Sequence, residues 1–254
     1  MLTLVVGVST LWLAATGQLI LYIHPRYVVF TVVMIAIGMV LSLGVLAFLP
    51  ARDDHDHGAE EAPPGSRRPR RRRRGSSTAR GVAVAAGAVV TVGIAVALVV
   101  LPPATLTSAT AGQRDVNSST ASLNGTTVAD AKAGDADAYK SFSVLDWAGL
   151  LRQTSDLAFF EGKTADVVGF VVPAGDDPDV FYVSRFVVTC CAVDAQPVGV
   201  PVHLDDWQSQ LQADEWVEVS GGFRTNQSST STDPVALVPE SLEKVGQPSD
   251  PYLY

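Results

Sequence analysis

The sequence predicts an α+β protein in which membrane helices precede a small β domain with flanking helices. Three observations lead to this fold class. Apolar residues concentrate in three long blocks. The segment between the second and third blocks is net basic, whereas the part after the third block is net acidic. The C-terminal part consists of short runs of β-forming residues. A chain of 254 residues has room for both a helix bundle and a folded domain.

The three apolar blocks have the length of membrane spans. They cover Leu2–Tyr22, Val28–Leu49 and Gly81–Leu101, and none contains an acidic or basic residue. About 20 apolar residues in a helix cross a hydrocarbon core roughly 30 Å thick, whereas helices of a soluble core normally show a polar face. The first block also lacks the basic start of a signal peptide. We therefore predict a transmembrane hairpin over residues 1–50 and a third transmembrane helix over residues 81–101.

Charge predicts the orientation. Residues 51–80 hold nine arginines and five acidic residues, whereas residues 102–254 hold eight basic and 21 acidic residues. Short loops rich in arginine remain in the cytoplasm. Residues 51–80 are therefore predicted to be a cytoplasmic basic loop, with the N-terminus cytoplasmic and the chain after Pro102 extracytoplasmic. The predicted localisation is the cell (plasma) membrane, as a multi-pass protein in the lipid bilayer.

The arginine run Arg70–Arg74 invites a nucleic-acid interpretation. No aromatic residues are interleaved with it, and an apolar block follows closely. Topology and attraction to anionic lipid headgroups explain the run better, so no nucleic-acid partner is expected. His55 and His57 in the same loop could bind a metal ion weakly; the simpler interpretation is that they belong to a solvated linker.

Residues 102–137 are rich in small polar residues and predict a flexible tether. Residues 138–254 predict a folded domain that begins with an amphipathic helix over Tyr139–Gln153. A turn is predicted at Gly175–Pro178 and a short helix at Asp205–Ala213. The predicted strands are Thr164–Val172, Val180–Cys190, Val198–Leu204, Trp216–Arg224, and Val235–Val238 with Leu242–Val245. This order favours an OB-like β-barrel over a sandwich; an unassigned α+β domain is the alternative.

Both cysteines of the chain are adjacent, at Cys190 and Cys191, and Asp194 and His203 follow them. Thiolate, carboxylate and imidazole groups are ligands for zinc or copper, so these four residues are a candidate metal site. Their spacing matches no common zinc module. Adjacent cysteines form a disulfide with each other only through a strained ring. The alternatives are a structural role, with one thiol on each face of a strand, and a redox-active thiol.

Catalytic motifs are absent from the sequence. There is no Gly-rich phosphate loop, no Ser-His-Asp order and no HExxH, and His203 is the only histidine outside the predicted membrane part and its loops. Nucleophilic catalysis by a cysteine requires a base close to it. We therefore expect no enzymatic activity.

Several strings resemble a known bacterial family. The most specific is RFVVTCCAVDAQPVGVPV at Arg185–Val202; the others are YIHPR at Tyr22–Arg26, GKTADVVGFV at Gly162–Val171, WVEVSG at Trp216–Gly221 and PSDPYLY at Pro248–Tyr254. The chain resembles the YcgQ-like family of two-component membrane permease subunits, except in the arginine loop and the Ser/Thr-rich tether. The resemblance implies an accessory subunit whose partner is a separate multi-span YcgR-like permease. It carries no catalytic residues over to this chain, and it leaves the transported solute open.

Overall fold

The computed structural model describes residues 2–48, 86–87, 89–94, 96–97, 104–123, 125–134 and 137–254. The chain divides into two compact units. The first contains Met1–Leu19 and Arg26–Pro103, and the second contains Ile20–Pro25 and Ala104–Tyr254. The predicted basic loop, with His55 and His57, lies outside the described residues.

The first unit contains helix α1 (Leu2–Ala15) and helix α2 (Val28–Phe48). The 14 residues of α1 span only about 21 Å, because the helix ends just before Gly17, whose φ is +74°. Gly7 allows close packing within this unit, since a Cβ there would lie 2.7 Å from Sδ of Met39.

Among the described residues, one helix is long and apolar enough to cross a membrane. It covers Pro25–Val45, has a mean hydropathy of 2.7 and contains no buried residue. The second predicted span is thus confirmed in length and composition. Residues 86–87, 89–94 and 96–97 are helical, but the rest of the third predicted span lies outside the described residues. The three-span architecture remains a prediction, because the helix in the first block is too short for a full span.

The second unit is built on a six-stranded sheet. Its strands are β1 (Thr164–Pro173), β2 (Val180–Val187), β3 (Gln196–His203), β4 (Trp216–Thr225), β5 (Val235–Lys244) and β6 (Tyr252–Leu253). The five predicted β runs are confirmed, with the last two segments forming one strand. The predicted turn at Gly175 is also present. Instead of the predicted helix over Asp205–Ala213, the chain forms only a 3₁₀ turn at Trp207–Ser209.

The sheet is mixed. Antiparallel pairs join β1 to β2, β1 to β4, β2 to β3 and β4 to β5, while β6 runs parallel to β2. β3 and β5 are parallel, and Val202 with Leu237 is the one pair that joins them among the described residues. The structure therefore shows a six-stranded mixed sheet, and the OB-like barrel remains a prediction, because a single residue pair joins β3 to β5.

Helix α5 (Val144–Gln153) confirms the last ten residues of the predicted amphipathic helix. It begins at a capping box, in which Ser143 and Asp146 each bind the main chain of the other. Its apolar face carries Trp147, which is fully buried and contacts the ring of Phe223 at a centroid distance of 4.9 Å. Burial of such aromatic side chains supplies much of the stability of a small core. The short helix α6 (Leu157–Phe160) adds the buried Phe160 to the same core.

Part of the predicted tether is packed against the sheet. The tether contains helices α3 (Ser108–Ala111) and α4 (Val128–Ala133). Ala111 is fully buried, and the side chain of the buried Asn117 binds both main-chain groups of Gly199 on β3, at 2.7 and 2.8 Å. Small polar residues predicted a flexible segment. The amide side chain of Asn117, however, pairs with the main chain of Gly199 as a neighbouring strand would, and this contact holds the segment on the sheet.

Candidate functional site

The two cysteines lie in the thiol loop, residues 188–195, which connects β2 to β3. The predicted strand reached Cys190, but β2 ends at Val187. The expectation that the thiols point to opposite faces of a strand is therefore wrong, because the backbone has already left the sheet. The Sγ atoms of Cys190 and Cys191 lie 3.4 Å apart. Cys190 is exposed, and Cys191 is partly buried.

The carboxylate of Asp194 organises the thiol loop. It accepts main-chain hydrogen bonds from Thr189 at 3.2 Å and from Cys190 at 2.8 Å. One of its oxygens and the Sγ atoms of Cys190 and Cys191 all lie within 4.8 Å of one another. Three of the four predicted ligands are thus brought together by a tight loop, and their thiolate and carboxylate chemistry suits zinc.

Protonation limits what the thiols can do. The hydrogen bond with Cys191, and then the one with Asp194, raises the pKa of Cys190 to about 11. This thiol is therefore protonated at neutral pH. A metal ion would have to displace the proton, and nucleophilic or redox chemistry, which needs a thiolate, is disfavoured.

His203 does not belong to this group, so its predicted place in the site is wrong. On β3 it pairs with Val180, whereas the residues next to the thiol loop, Val187 and Gln196, pair at the other end of the same hairpin. Seven residues of strand separate the two ends by about 23 Å. Instead, Nε2 of His203 lies 3.5 Å from Oδ1 of Asp205, and His203 lines a cavity of 570 Å³. In an antiparallel hairpin, the residue at the end of the second strand lies at the open end of the hairpin, far from the connecting loop.

A segment from the N-terminal part of the chain pairs with the thiol loop. Ile23 and Cys191 form an isolated antiparallel bridge. It is flanked by hydrogen bonds from the amide of His24 to the carbonyl of Cys190, at 3.0 Å, and from the amide of Ala192 to the carbonyl of Tyr22, at 2.8 Å. We name Tyr22–His24 the N-terminal strap. It belongs to the second unit and lies in sequence between α1 and α2.

The C-terminus reaches the same place. β6 lies beside the end of β2, and the amide of Val188 donates to the carbonyl of Leu253 at 2.9 Å. The Tyr254 hydroxyl donates to the carbonyl of Ile20 at 3.1 Å, and its ring meets that of His24 edge-on, with the centroids 5.0 Å apart. The strings at Tyr22–Arg26 and Pro248–Tyr254, far apart in sequence, therefore meet at the thiol loop.

Arg114 is a site residue that the sequence did not reveal. Its guanidinium donates to the carbonyl of Val193 at 2.7 Å and to the carbonyl of Ala195. It comes from the predicted tether, and no sequence pattern links it to the cysteines. Beneath the loop, a small apolar cluster supports it, including Phe186, Val188 and Ala195.

Part of this site lies in a segment that is similar to a known domain family. Residues 145–254 match the family model of the DUF1980 C-terminal domain. The match includes the thiol loop and fits the resemblance to the YcgQ-like family. The N-terminal strap and Arg114 lie outside the matched residues and contact the thiol loop from segments that precede the match.

Comparison with curated proteins gave no match. Among solved structures, the chain is similar to OBody AM3L09 bound to hen egg-white lysozyme, with 20% identity over 36% of this chain and 93% of that chain, and a TM-score of 0.23. It is also similar to OBody AM2EP06 bound to hen egg-white lysozyme, with 21% identity over 34% and 82% of the two chains and a TM-score of 0.22. At such TM-scores these similarities add nothing to the fold described above.

Proposed function

We propose that this chain is an integral membrane accessory subunit of a two-component permease complex. Its outer domain, an OB-like barrel, gates a multi-span YcgR-like partner or presents a ligand to it. The apolar helix α2, the DUF1980 C-terminal domain and the resemblance to the YcgQ-like family support the proposal.

The observation that carries the proposal is the pairing of the N-terminal strap with the thiol loop. The strap is continuous in sequence with α1 on one side and α2 on the other. Its main chain is held by two hydrogen bonds and a β-bridge to the loop that holds both cysteines. A change in this loop therefore acts directly on the segment between the two helices, as gating requires.

Co-purification tests the partnership. The tagged full-length chain, extracted in mild detergent, is expected to bring down a multi-span permease. A photo-reactive amino acid in place of Val193, which is 80% exposed on the thiol loop, tests whether this loop contacts the permease. The same replacement at the exposed Glu240 on β5 is the control position. A chain that migrates alone, without cross-links from either position, contradicts the proposal.

The proposed orientation places the N-terminus in the cytoplasm and the β domain outside. Since Cys190 and Cys191 are the only cysteines, a Cys190→Ser/Cys191→Ser background is free of thiols. Val193→Cys in that background is expected to react with a membrane-impermeant maleimide in intact cells. Labelling only after the cells are broken would place the domain in the cytoplasm.

A second candidate function is an extracytoplasmic metal-binding module for zinc or copper. The observation that favours it is the convergence of Cys190, Cys191 and Asp194. A thiol redox protein has less support, because the raised pKa of Cys190 reduces the thiolate fraction.

Elemental analysis of the purified full-length chain tests the metal function. About one zinc or copper ion per chain is expected in the wild type, and none above background in Cys190→Ser/Cys191→Ser. His203→Ala is the matched control, because His203 lies at the far end of the hairpin. Equal metal content in the wild type and the double variant would end this candidate.

A further inference from the structure

Cys190, Cys191 and Asp194 supply three donor groups. A zinc ion in proteins is almost always four-coordinate, with imidazole among its commonest ligands. His203 was the histidine that the sequence offered, and the hairpin places it elsewhere. The structure points to another histidine.

His24 stands directly across from Cys190. In the antiparallel pairing of Ile23 with Cys191, the next residue of the strap faces the preceding residue of the loop, and the amide of His24 is bonded to the carbonyl of Cys190 at 3.0 Å. Residues directly opposite in an antiparallel pair have Cα atoms about 4.5–5.5 Å apart. The backbone of His24 is thus held next to that of Cys190.

The His24 ring is edge-on to Tyr254, at a centroid distance of 5.0 Å, and it lies outside the three-residue group. Binding of a metal by His24 together with the thiols requires a rotation about its side-chain torsions, with the strap backbone fixed, away from the contacts that the ring now makes, the one with Tyr254 among them. Such rotamer changes are fast for residues near the surface. The hydrogen bonds of the strap keep the Cα of His24 in place throughout.

We propose that His24, together with Cys190, Cys191 and Asp194, forms a four-donor zinc site that joins the N-terminal strap to the thiol loop. The inference rests on the metal-binding function proposed above and names the ligand that completes it. Thiolate, carboxylate and imidazole groups all bind zinc, and these four donors match its tetrahedral coordination number.

The distance between the sulfur atoms agrees with this metal. A Zn–S bond of about 2.3 Å in a tetrahedral site places two sulfurs about 3.8 Å apart, and the Sγ atoms lie 3.4 Å apart. A small opening of the loop is sufficient. The carboxylate and imidazole favour zinc over Cu(I), which prefers soft sulfur ligands.

The site gives zinc a mechanical role. A metal that binds His24 and the cysteines together adds a cross-link between the strap and the thiol loop, beside the existing main-chain hydrogen bonds. Zinc would then stabilise the strap in its paired state, and its release would loosen the segment between α1 and α2.

Zinc titration of the full-length chain, purified in detergent without a polyhistidine tag, tests the inference. Competition with a chromophoric chelator gives the dissociation constant for Zn²⁺ alone. His24→Ala is expected to weaken binding by at least about tenfold, since even an outer-shell partner contributes that much. His203→Ala is expected to bind as the wild type does, and Cys190→Ser/Cys191→Ser sets the background from other histidines.

Substitution with Co²⁺ separates ligation from folding. The wild type is expected to show the intense visible bands of tetrahedral cobalt with thiolate ligands. His24→Gln, which preserves the size of the side chain, is expected to shift these bands while the far-UV circular dichroism stays unchanged.

The outcomes distinguish the two levels of the proposal. If His24→Ala and His24→Gln bind zinc like the wild type while the double cysteine variant does not, the metal function holds and the role of His24 is wrong. An equal loss in His203→Ala also overturns it. If the wild type binds no more zinc than the double cysteine variant, both proposals fail.

Discussion

The main-chain amide of His24 donates a 3.0 Å hydrogen bond to the carbonyl of Cys190. Together with the bond from Ala192 to Tyr22, it forms the smallest possible unit of antiparallel sheet, a single bridge at Ile23 and Cys191. So small a ladder is stable only because its loop is held from other sides, by Asp194 within and by Arg114 from outside.

Replacing Ala192 by proline tests the bridge. The substitution removes the amide that donates to Tyr22. Proline suits the first residue of the 3₁₀ turn Ala192–Asp194, and Cys191 before it is already extended, with φ −157° and ψ 167°. Loss of one hydrogen bond, about 1 kcal/mol, is expected to speed hydrogen exchange at the His24 amide about fivefold. The exposed Val193→Ala is the control; equal exchange in all three proteins would contradict the role of the bridge.

Arg114→Ala is expected to loosen the thiol loop. It removes the guanidinium that donates to the carbonyls of Val193 and Ala195. The expected loss is about 1–3 kcal/mol in the local opening free energy, measured as faster amide exchange at Cys190 and Asp194. Lys140→Ala, which breaks an exposed ion pair with Asp137, is the matched loss of a cation and should change nothing.

Asn117→Ala is expected to release the packed segment from β3. The variant loses both hydrogen bonds to Gly199, and alanine is disfavoured at the φ of +67° found there. Thermal unfolding should show a loss of about 1–3 kcal/mol in stability, with faster trypsin cleavage at Arg114. Asn117→Gly retains the backbone conformation and loses only the side-chain hydrogen bonds, and Gln210→Ala, at an exposed position, is the control. Unchanged cleavage in Asn117→Ala would show that the contact does not hold the segment.

Gly221→Ala is expected to strain the sheet. Gly221 lies at an irregularity in the β4–β5 pairing, and a Cβ there would be 2.1 Å from the carbonyl oxygen of Val238. Backbone must shift to accept it, at a cost of roughly 1–3 kcal/mol in the free energy of unfolding. Gly246→Ala, where nothing lies within 4 Å, is the matched control and should be nearly neutral.

Asp177 predicts a dependence of stability on pH. Burial raises the pKa of this carboxylate, but hydrogen bonds from Ser228, Thr230 and main-chain amides outweigh it and hold the pKa below its ordinary value. A lowered native pKa gives stability that is complete above the unfolded pKa of about 4 and is lost as the pH falls through the native pKa.

Asp177→Asn is therefore expected to be less stable than the wild type at pH 7, by about 1–3 kcal/mol. The gap should narrow below about pH 4, where the wild type loses its own contribution. Thermal unfolding across this pH range measures both curves. Asp176→Asn, at the exposed neighbour, is the control, and a gap that stays constant with pH would contradict the assignment.

Local pattern alone predicted much of the fold. Uninterrupted apolar residues predicted α2, and short runs of β-forming residues predicted the positions of the strands, because both signals come from neighbouring residues. The end of β2 was missed by three residues, since Val188 is apolar yet already outside the sheet. Because the strand ends before the cysteines, both thiols lie in a loop and do not point to opposite faces of a strand.

Three residues of the candidate site were also within reach of the sequence. Cys190, Cys191 and Asp194 are close in sequence, so a loop sufficed to bring their ligand atoms together. His203 was only nine residues further on, yet the strand between carried it away. Sequence separation predicts proximity in a turn and distance along a strand, and the residues themselves did not say which applied.

The sequence by itself thus determined the apolar helix, the β-rich domain and the adjacent thiols. Only the tertiary structure decided what surrounds them. His24, Arg114 and Tyr254 come from the two ends of the chain and from a polar segment without periodicity. Their meeting at the thiol loop depends on strand order and on main-chain hydrogen bonds, which any residue can make and which therefore leave no mark on the sequence.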